Sequence, residues 1–219
     1  MDIVLIGSGT HVKVVIDIVQ KEEELNIVGL IDNRDAVGTK VNGVPVIGGD
    51  QDIEFLSQQM KFTHGIICVY DNYLRKNIRD RLNSLMPHLK YVAAIHPNAC
   101  ISSGVKIGVG TVVMGGVTVN ANCELGEHCV VNTNSSIDHD SSLSDFSSIG
   151  PGVNLGGNVS IGTLSYVGIG SAVSHNVAIG SNTVIGGLSF VNQNVGDNEL
   201  GYFSPYRKVR SRKLGDKYL

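Results

Sequence analysis

The segment richest in possible chemistry is Asp138-His139-Asp140. Histidine titrates near neutral pH. A carboxylate beside it holds one ring tautomer and stabilises the protonated ring, which is what a general base requires. The chain has seven histidines. His11 stands in a glycine loop, His64 and His88 fall between elements, His96 precedes Pro97, and His128 sits in a charged Glu127-His128 turn. His175, 36 residues beyond His139, is the rival, but its neighbours are Ser174 and Asn176. A hydroxyl or an amide stabilises an imidazolium less well than a carboxylate does. His139 is therefore the expected base, with Asp140 as its partner. Three adjacent residues of an extended strand cannot converge on one ion, so no metal is expected. No order of Ser or Cys with His and Asp stands out, so a covalent acyl-enzyme is not indicated.

A second cluster lies near the start. Gly7-Ser-Gly-Thr-His11 follows the apolar run Asp2-Ile-Val-Leu-Ile6 and precedes a helical pattern from Val12 to Glu24. A glycine loop between strand and helix is where a parallel sheet holds phosphate-bearing ligands. Asp32 follows Gly9 by 23 residues, at the end of the run Ile27–Ile31, where a carboxylate can accept ribose hydroxyl hydrogen bonds. The dinucleotide fingerprint is incomplete, because its third glycine position is Val12. A glycine-rich turn with no ligand is the competing reading.

The elements that must carry these groups follow from two periodicities. From Ile95 to Val191 every sixth residue is aliphatic, with no slip in register. Two residues before each stands a small or modest side chain, such as Cys123, Ser141 or Val159. A period of six fits neither an α-helix nor a hairpin sheet; it fits a coil of flat faces around an axis. Gly108, Gly126, Gly162 and Gly180 recur at 18 residues or multiples of it, as do Gly150, Gly168 and Gly186. Eighteen residues then make one turn of three faces, and the glycines are expected at corners needing φ > 0. His139, Gly157 and His175 fall on one corner of successive coils.

Residues 1–90 read differently. The runs Asp2–Ile6, Ile27–Ile31 and Ile66–Val69 are expected strands, and Asn72–Leu85 a helix. Alternation of this kind implies a small, Rossmann-like parallel α/β sheet. The expected division is an α/β domain over 1–90 and a β-helix domain with its tail over 91–219.

A net charge of -3 gives no reason to expect nucleic acid. The N-terminal apolar run is too short for a membrane span and lacks a basic flank. A cytoplasmic chain is expected, with Cys68, Cys100, Cys123 and Cys129 as free thiols filling small core sites.

Together, Gly7-Ser-Gly-Thr-His11-Val-Lys-Val-Val, Ile31-Asp-Asn33, Ile95-His-Pro97 and Val131-Asn-Thr-Asn-Ser-Ser-Ile-Asp-His139-Asp resemble a bacterial family. It comprises sugar O- and N-acetyltransferases, among them sialic acid O-acetyltransferases and nucleotide-linked 4-amino-sugar N-acetyltransferases. The resemblance spans nearly the whole chain. It implies a left-handed parallel β-helix, acetyl-CoA as co-substrate, and a homotrimer with active sites between subunits. It also implies N-acetylation of a nucleotide-linked 4-amino-deoxy sugar in glycan biosynthesis, by direct transfer to the amine. Residue by residue, it places Gly9, Thr10 and His11 along the phosphates and base, and Asp32, Asn33, Asp71 and Asn72 on the nucleotide. It places Asn132 on the sugar, His139 and Asp140 at the chemistry, and Gly157 and Gly187 on acetyl-CoA. Ser148 stands where some members carry a second histidine; its hydroxyl would take that role. Thr10 replaces a common glycine. The tail, Ser204-Pro-Tyr-Arg-Lys-Val-Arg-Ser-Arg-Lys213, departs from the family's ending; its cations would meet the CoA phosphates or remain solvated. O-acetylation of a sialic-acid-like sugar is the alternative within the family. A non-catalytic nucleotide-sugar scaffold is the alternative outside it.

Overall fold

The computed structural model describes residues 1–22, 24–202 and 207–216. The chain divides into two compact units, Met1–Pro97 and Asn98–Leu219.

The first unit is a six-stranded sheet flanked by helices. Its strands are β1 (Asp2–Ile6), β2 (Asn26–Ile31), β3 (Lys40–Val41), β4 (Val44–Gly48), β5 (His64–Ile67) and β6 (Lys90–Tyr91), in the order β3-β4-β2-β1-β5-β6. All neighbours are parallel except β3 and β4. That edge hairpin makes the sheet mixed. It turns on Asn42-Gly43, both at positive φ, the residue pair that two-residue hairpins favour. Helix α1 (Thr10–Gln20) starts earlier and ends earlier than the sequence pattern suggested, whereas α3 (Asn72–Leu85) has the expected bounds. A further helix, α2 (Ile53–Met60), lies between β4 and β5. Strand β5 covers His64–Ile67, two residues upstream of the expected strand, so Val69 lies beyond its carboxyl end. Val4, Ile6, Ile31, Phe62, Ile67 and Leu82 are buried in the core.

In the second unit, two-residue strands recur every six residues from Cys100–Ile101 to Phe190–Val191. Each pairs in parallel with the strand 18 residues on, as Val112 does with Val130 and Ser136 with Asn154. The result is three parallel sheets and a left-handed β-helix. From Val113 onward the aliphatic column is at most 3% exposed. Burying one such side chain contributes roughly 2 kcal/mol. The column of small residues is buried too, and its hydroxyls bridge coils. Ser141 Oγ donates to Gly156 O (3.1 Å) and accepts from Val159 N (3.0 Å); Ser165 does the same with Gly180 O (2.6 Å) and Thr183 N (2.9 Å). A buried serine here is thus a satisfied link between coils.

The glycine series has a different cause from the one expected. Gly108, Gly126, Gly162 and Gly168 are absent from the positive-φ positions, but an added Cβ would lie 2.5 Å from atoms of the next coil. Close stacking, not backbone handedness, requires them. The left-handed position is instead every sixth residue from Gly104 to Leu188, held by asparagine at 122, 134, 158, 176 and 182 and by Asp140. Asparagine and aspartate tolerate this conformation better than most residues.

Two burial patterns add to the expectations. His128 sits in the expected turn, but its side chain is fully buried and stacked on Phe146 with ring centroids 5.0 Å apart. Cys68, Cys123 and Cys129 are buried free thiols, but Cys100 is exposed.

After the last coil, Glu199–Tyr202 pairs antiparallel with Arg207–Ser211. Ser204, Pro205 and Tyr206 lie outside the described residues. Three tail cations make contacts within the chain: Lys208 with Glu199 (3.1 Å), Arg210 with Asp216 (2.8 Å), and Arg212 with Asp216 O (2.8 Å).

Candidate active site

Two sets of polar groups stand out, one in each unit. In the first unit a cavity of about 190 Å³ opens at the carboxyl ends of β1 and β2. Ile6, Ile31, Val69 and Ile78 form its apolar wall, and Asp32, Asn33, Arg34, Asp50 and Arg81 its polar rim. Gly7 adopts φ +104°, and a Cβ there would press on Val69 and on Cys68 O, so the chain can turn here only with glycine. Asp32 is held by Ser8 N (2.7 Å) and Arg34 N (2.7 Å). Burial alone would raise its pKa; the hydrogen bonds from Arg34 and Ser8 outweigh that and lower it to about 2. It is an anion at any physiological pH, aimed by the loop it ties down.

Asn33 lines the cavity, but its amide is engaged on both sides. Nδ2 donates to Asp50 Oδ2 and Oδ1 accepts from Asp50 N, each at 2.8 Å. Arg81 closes the set by pairing with Asp50 through Nε at 2.7 Å. Asn33 therefore braces the rim more than it reads a ligand. Arg34, Asp50 and Arg81 carried no sequence signal, because they come from three separate segments that meet only on folding.

The remaining expected nucleotide residues diverge. Gly9 is the backbone N-cap of α1, and Thr10 opens the helix exposed to solvent. His11 points inward. It packs edge-on to Tyr70 at 5.5 Å, and burial, helped by the Arg75 charge, lowers its pKa to about 4. At neutral pH the His11 ring is therefore uncharged, and any contact it makes with a nucleotide is a neutral hydrogen bond. Its Nε2 has no hydrogen-bond partner among the described residues. Asp71 caps α3, accepting from Leu74 N at 2.8 Å, and buried Asn72 accepts from Arg75 Nη2 at 2.8 Å. Neither lines the cavity.

In the second unit, His139, Asp140 and Gly157 come together at one corner. His139 Nδ1 lies 2.7 Å from Asp140 Oδ2. A carboxylate only accepts, so Nδ1 carries the proton and the Nε2 lone pair is free. The hydrogen bond to Asp140, with the Asp138 charge, raises the His139 pKa above the ordinary value. The ring lies over Gly157, where an added Cβ would be 2.7 Å from Nε2. One coil beyond, His175 has the opposite arrangement: Gly157 N donates to its Nδ1 at 2.8 Å. Its Nδ1 lone pair is used, and its neutral ring carries the proton on Nε2. The two histidines are therefore not equivalent. One offers a lone pair toward Gly157; the other offers a donor.

Asn132, Ser148 and Gly187 are elsewhere. Asn132 is nearly buried, with Oδ1 accepting from Thr133 N at 2.8 Å. Ser148 is fully buried on its strand, which removes its hydroxyl from the groups a coenzyme could meet. Gly187 is exposed beside Ile169, at a corner other than that of His139. No group of three or more metal-ligating side chains occurs among the described residues. Nor is any described helix long and apolar enough to cross a membrane.

Comparison with known proteins gives this geometry its setting. The PglD N-terminal domain model matches residues 2–82. No curated protein matches the chain. Among solved structures, the GDP-perosamine N-acetyltransferase of Caulobacter crescentus is 30% identical with a TM-score of 0.89, over 96% of this chain and 98% of that one. That structure is a histidine-to-alanine variant in complex with CoA and GDP-perosamine. The acetyltransferase domain of PglB from Neisseria gonorrhoeae, in complex with acetyl coenzyme A, is also 30% identical, with a TM-score of 0.87, over 95% and 98% of the two chains. WeeI from Acinetobacter baumannii, 22% identical with a TM-score of 0.84 over 95% and 100%, agrees in fold. With the glycine-loop sheet, the coiled domain and the histidine corner in place, the chain belongs to the hexapeptide-repeat family of sugar N-acetyltransferases.

Proposed function

We propose that the chain transfers acetyl from acetyl-CoA to the amino group of a nucleotide-linked 4-amino-deoxy sugar, with His139 as general base. The observation that carries this reading is the His139 tautomer: Nδ1–H is committed to Asp140, leaving Nε2 as acceptor on a ring packed over Gly157. The sugar ammonium first loses a proton to solvent. The amine nitrogen then attacks the thioester carbonyl while His139 Nε2 takes its remaining excess proton. The C–S bond breaks and CoA leaves as its thiolate, which takes a proton from the imidazolium or from solvent and returns His139 to its neutral form. The imidazolium that forms is stabilised by Asp140. No acyl-enzyme is needed.

The first unit is assigned to the nucleotide and the second to the chemistry, with the functional division after residue 90. The Asp32 rim and its apolar wall suit a base and ribose. The Caulobacter relative was solved with GDP-perosamine and with one histidine replaced by alanine or asparagine, which supports a histidine at the centre of the reaction here. The gonococcal relative was solved with acetyl-CoA, which supports that donor. Within one chain, Gly187 and His139 occupy different corners of the coil. A coenzyme touching both calls for two copies of the chain, in keeping with a homotrimer. Glycan biosynthesis in the bacterial cytoplasm is the setting we propose.

The test is CoA release with acetyl-CoA and a panel of GDP-, UDP- and dTDP-linked 4-amino sugars, with the product examined by NMR. Acetyl on nitrogen is expected. Acetyl on oxygen, or release only with a sialic-acid-like acceptor, would overturn the N-transfer reading.

A further inference from the structure

The His139–Asp140 pair is exposed: the two side chains are 57% and 52% accessible. An exposed ion pair is weakly held, because water competes for both partners and both side chains can rotate away. A base that must stay within hydrogen-bond reach of an amine needs firmer placement than that. The preceding coil supplies it. Asn122 Nδ2 donates to Asp140 Oδ1 at 3.0 Å, while Asp140 Oδ2 accepts from His139 Nδ1. One oxygen of Asp140 is thus anchored and the other is presented. The backbone reinforces this, since Asp140 N donates to Ala121 O at 3.1 Å. Asn122 is itself set by the coil, with φ 60°, directly before Asp140 with φ 57° in the same corner column. The other flank repeats the arrangement: Asn120 Nδ2 donates to Asp138 Oδ1 at 2.8 Å, and that oxygen also accepts His139 N at 2.8 Å.

We infer that Asn122 is a positioning residue for the acetyl transfer, acting through Asp140 to hold the His139 ring. This rests on His139 being the base. Asn122 touches neither the amine nor the thioester in this scheme. As a second contact to the same carboxylate it restricts the turning of Asp140 toward water, and by donating to it favours the ionised form. That donation is one cause of the lowered Asp140 pKa, after the hydrogen bond to His139 itself. The titratable groups around the ring are Asp138 and Asp140 beside it, Cys123 one coil before and His175 two coils on. Substituting Asn122 removes none of these groups, so a shift in the pH profile reports on its hydrogen bond to Asp140.

The left-handed backbone at 122 allows a clean test, because glycine keeps it without strain and removes the amide. In steady-state assays with acetyl-CoA and the GDP- or UDP-linked amino sugar that supports turnover, Asn122→Gly should lower kcat about tenfold, the worth of one hydrogen bond to a charged group. The KM for acetyl-CoA should not change. The acid limb of kcat/KM should move to lower pH, because a loosened Asp140 stabilises the imidazolium less. Asn122→Asp should move that limb to higher pH, because it adds negative charge near the ring. Asn182→Gly is the control: it has the same left-handed backbone (φ 52°) and a similar amide bond, to Asn198 at 2.7 Å, at another corner. It should lose comparable thermal stability and leave kcat and the pH profile unmoved. A folded Asn122→Gly variant with normal kcat and an unmoved acid limb would overturn the inference. So would an Asn182→Gly variant that loses as much kcat. His139→Ala, run alongside, separates the levels. Near-normal turnover there removes the base and this inference with it; lost turnover there beside a normal Asn122→Gly removes the anchor alone.

Discussion

Gly157→Ala is the substitution whose effect can be worked most directly from the structure. Gly157 is outside the positive-φ positions, so its backbone accepts alanine without strain. The new Cβ would stand 2.7 Å from His139 Nε2, 2.8 Å from Cε1 and 3.3 Å from Cδ2. Ordinary contact begins near about 3.5 Å, so the ring must retreat by about 1 Å. It can do so cheaply, because the side chain is 57% accessible and can swing toward water. The loss of stability should stay within about 1 kcal/mol. The catalytic effect should be larger, since a misplacement of about 1 Å can cost on the order of 10²-fold in rate. A thermal melt and steady-state kinetics across pH would show both. The expected result is a folded enzyme, kcat down by about two orders of magnitude, and an acid limb moved toward lower pH as His139 withdraws from Asp140. If Gly157 served only to admit the coenzyme, the KM for acetyl-CoA would rise with the acid limb unmoved. A variant with wild-type kcat and KM would refute the stacking of His139 on Gly157 as a functional arrangement.

The same geometry constrains other perturbations. Asp140→Asn keeps a hydrogen-bonding side chain but removes the charge that raises the His139 pKa. It should lower kcat by about 10- to 100-fold, less than for a buried dyad because this one is exposed, and shift the acid limb of kcat/KM to lower pH. Asp32 has its folded pKa depressed to about 2, so its contribution is present above the unfolded value and is lost as pH falls from about 4 toward 2. Urea melts over that range should show a loss on the order of 2 kcal/mol that is absent from Asp32→Asn, the variant being the less stable at neutral pH. In the first unit, Arg81→Ala leaves Asp50, the residue that braces Asn33, without its outer partner. It should weaken nucleotide-sugar binding, read by calorimetry, while leaving the KM for acetyl-CoA unchanged.

The β-helix was legible in the sequence because its repeat is its structure: each inward side chain from Val113 to Val191 meets the same surroundings one coil on. The corner was legible for the same reason, since residues 18 apart must stack, which put His139, Gly157 and His175 in one column. What the residues alone could not supply was direction. Nothing in Ser174-His175-Asn176 says that the ring accepts from Gly157, and that bond separates the two histidines more sharply than their neighbours do. The glycines were misread because close stacking and positive φ leave the same residue type behind. The asparagines at 122, 134, 158, 176 and 182, spaced by multiples of six at the left-handed turns, carried the cleaner signal. In the first unit Asp32 was recognisable from its place after a strand. Its rim partners Asp50 and Arg81 were not, because segments 31 residues apart are joined there. His11 carried no sequence signal for its burial: the helix phase turns the ring inward onto Tyr70.

The most direct test of the account is turnover of His139→Ala and His175→Ala beside the unaltered chain, with acetyl-CoA and the preferred nucleotide amino sugar. Both side chains are exposed corner groups, so both variants should fold. Loss of the general base should lower kcat/KM of His139→Ala by about 10²–10⁴. His175→Ala should lose far less, and mainly through the KM for acetyl-CoA. A folded His139→Ala enzyme with near-normal turnover, or a His175→Ala enzyme that is the more damaged of the two, would contradict it.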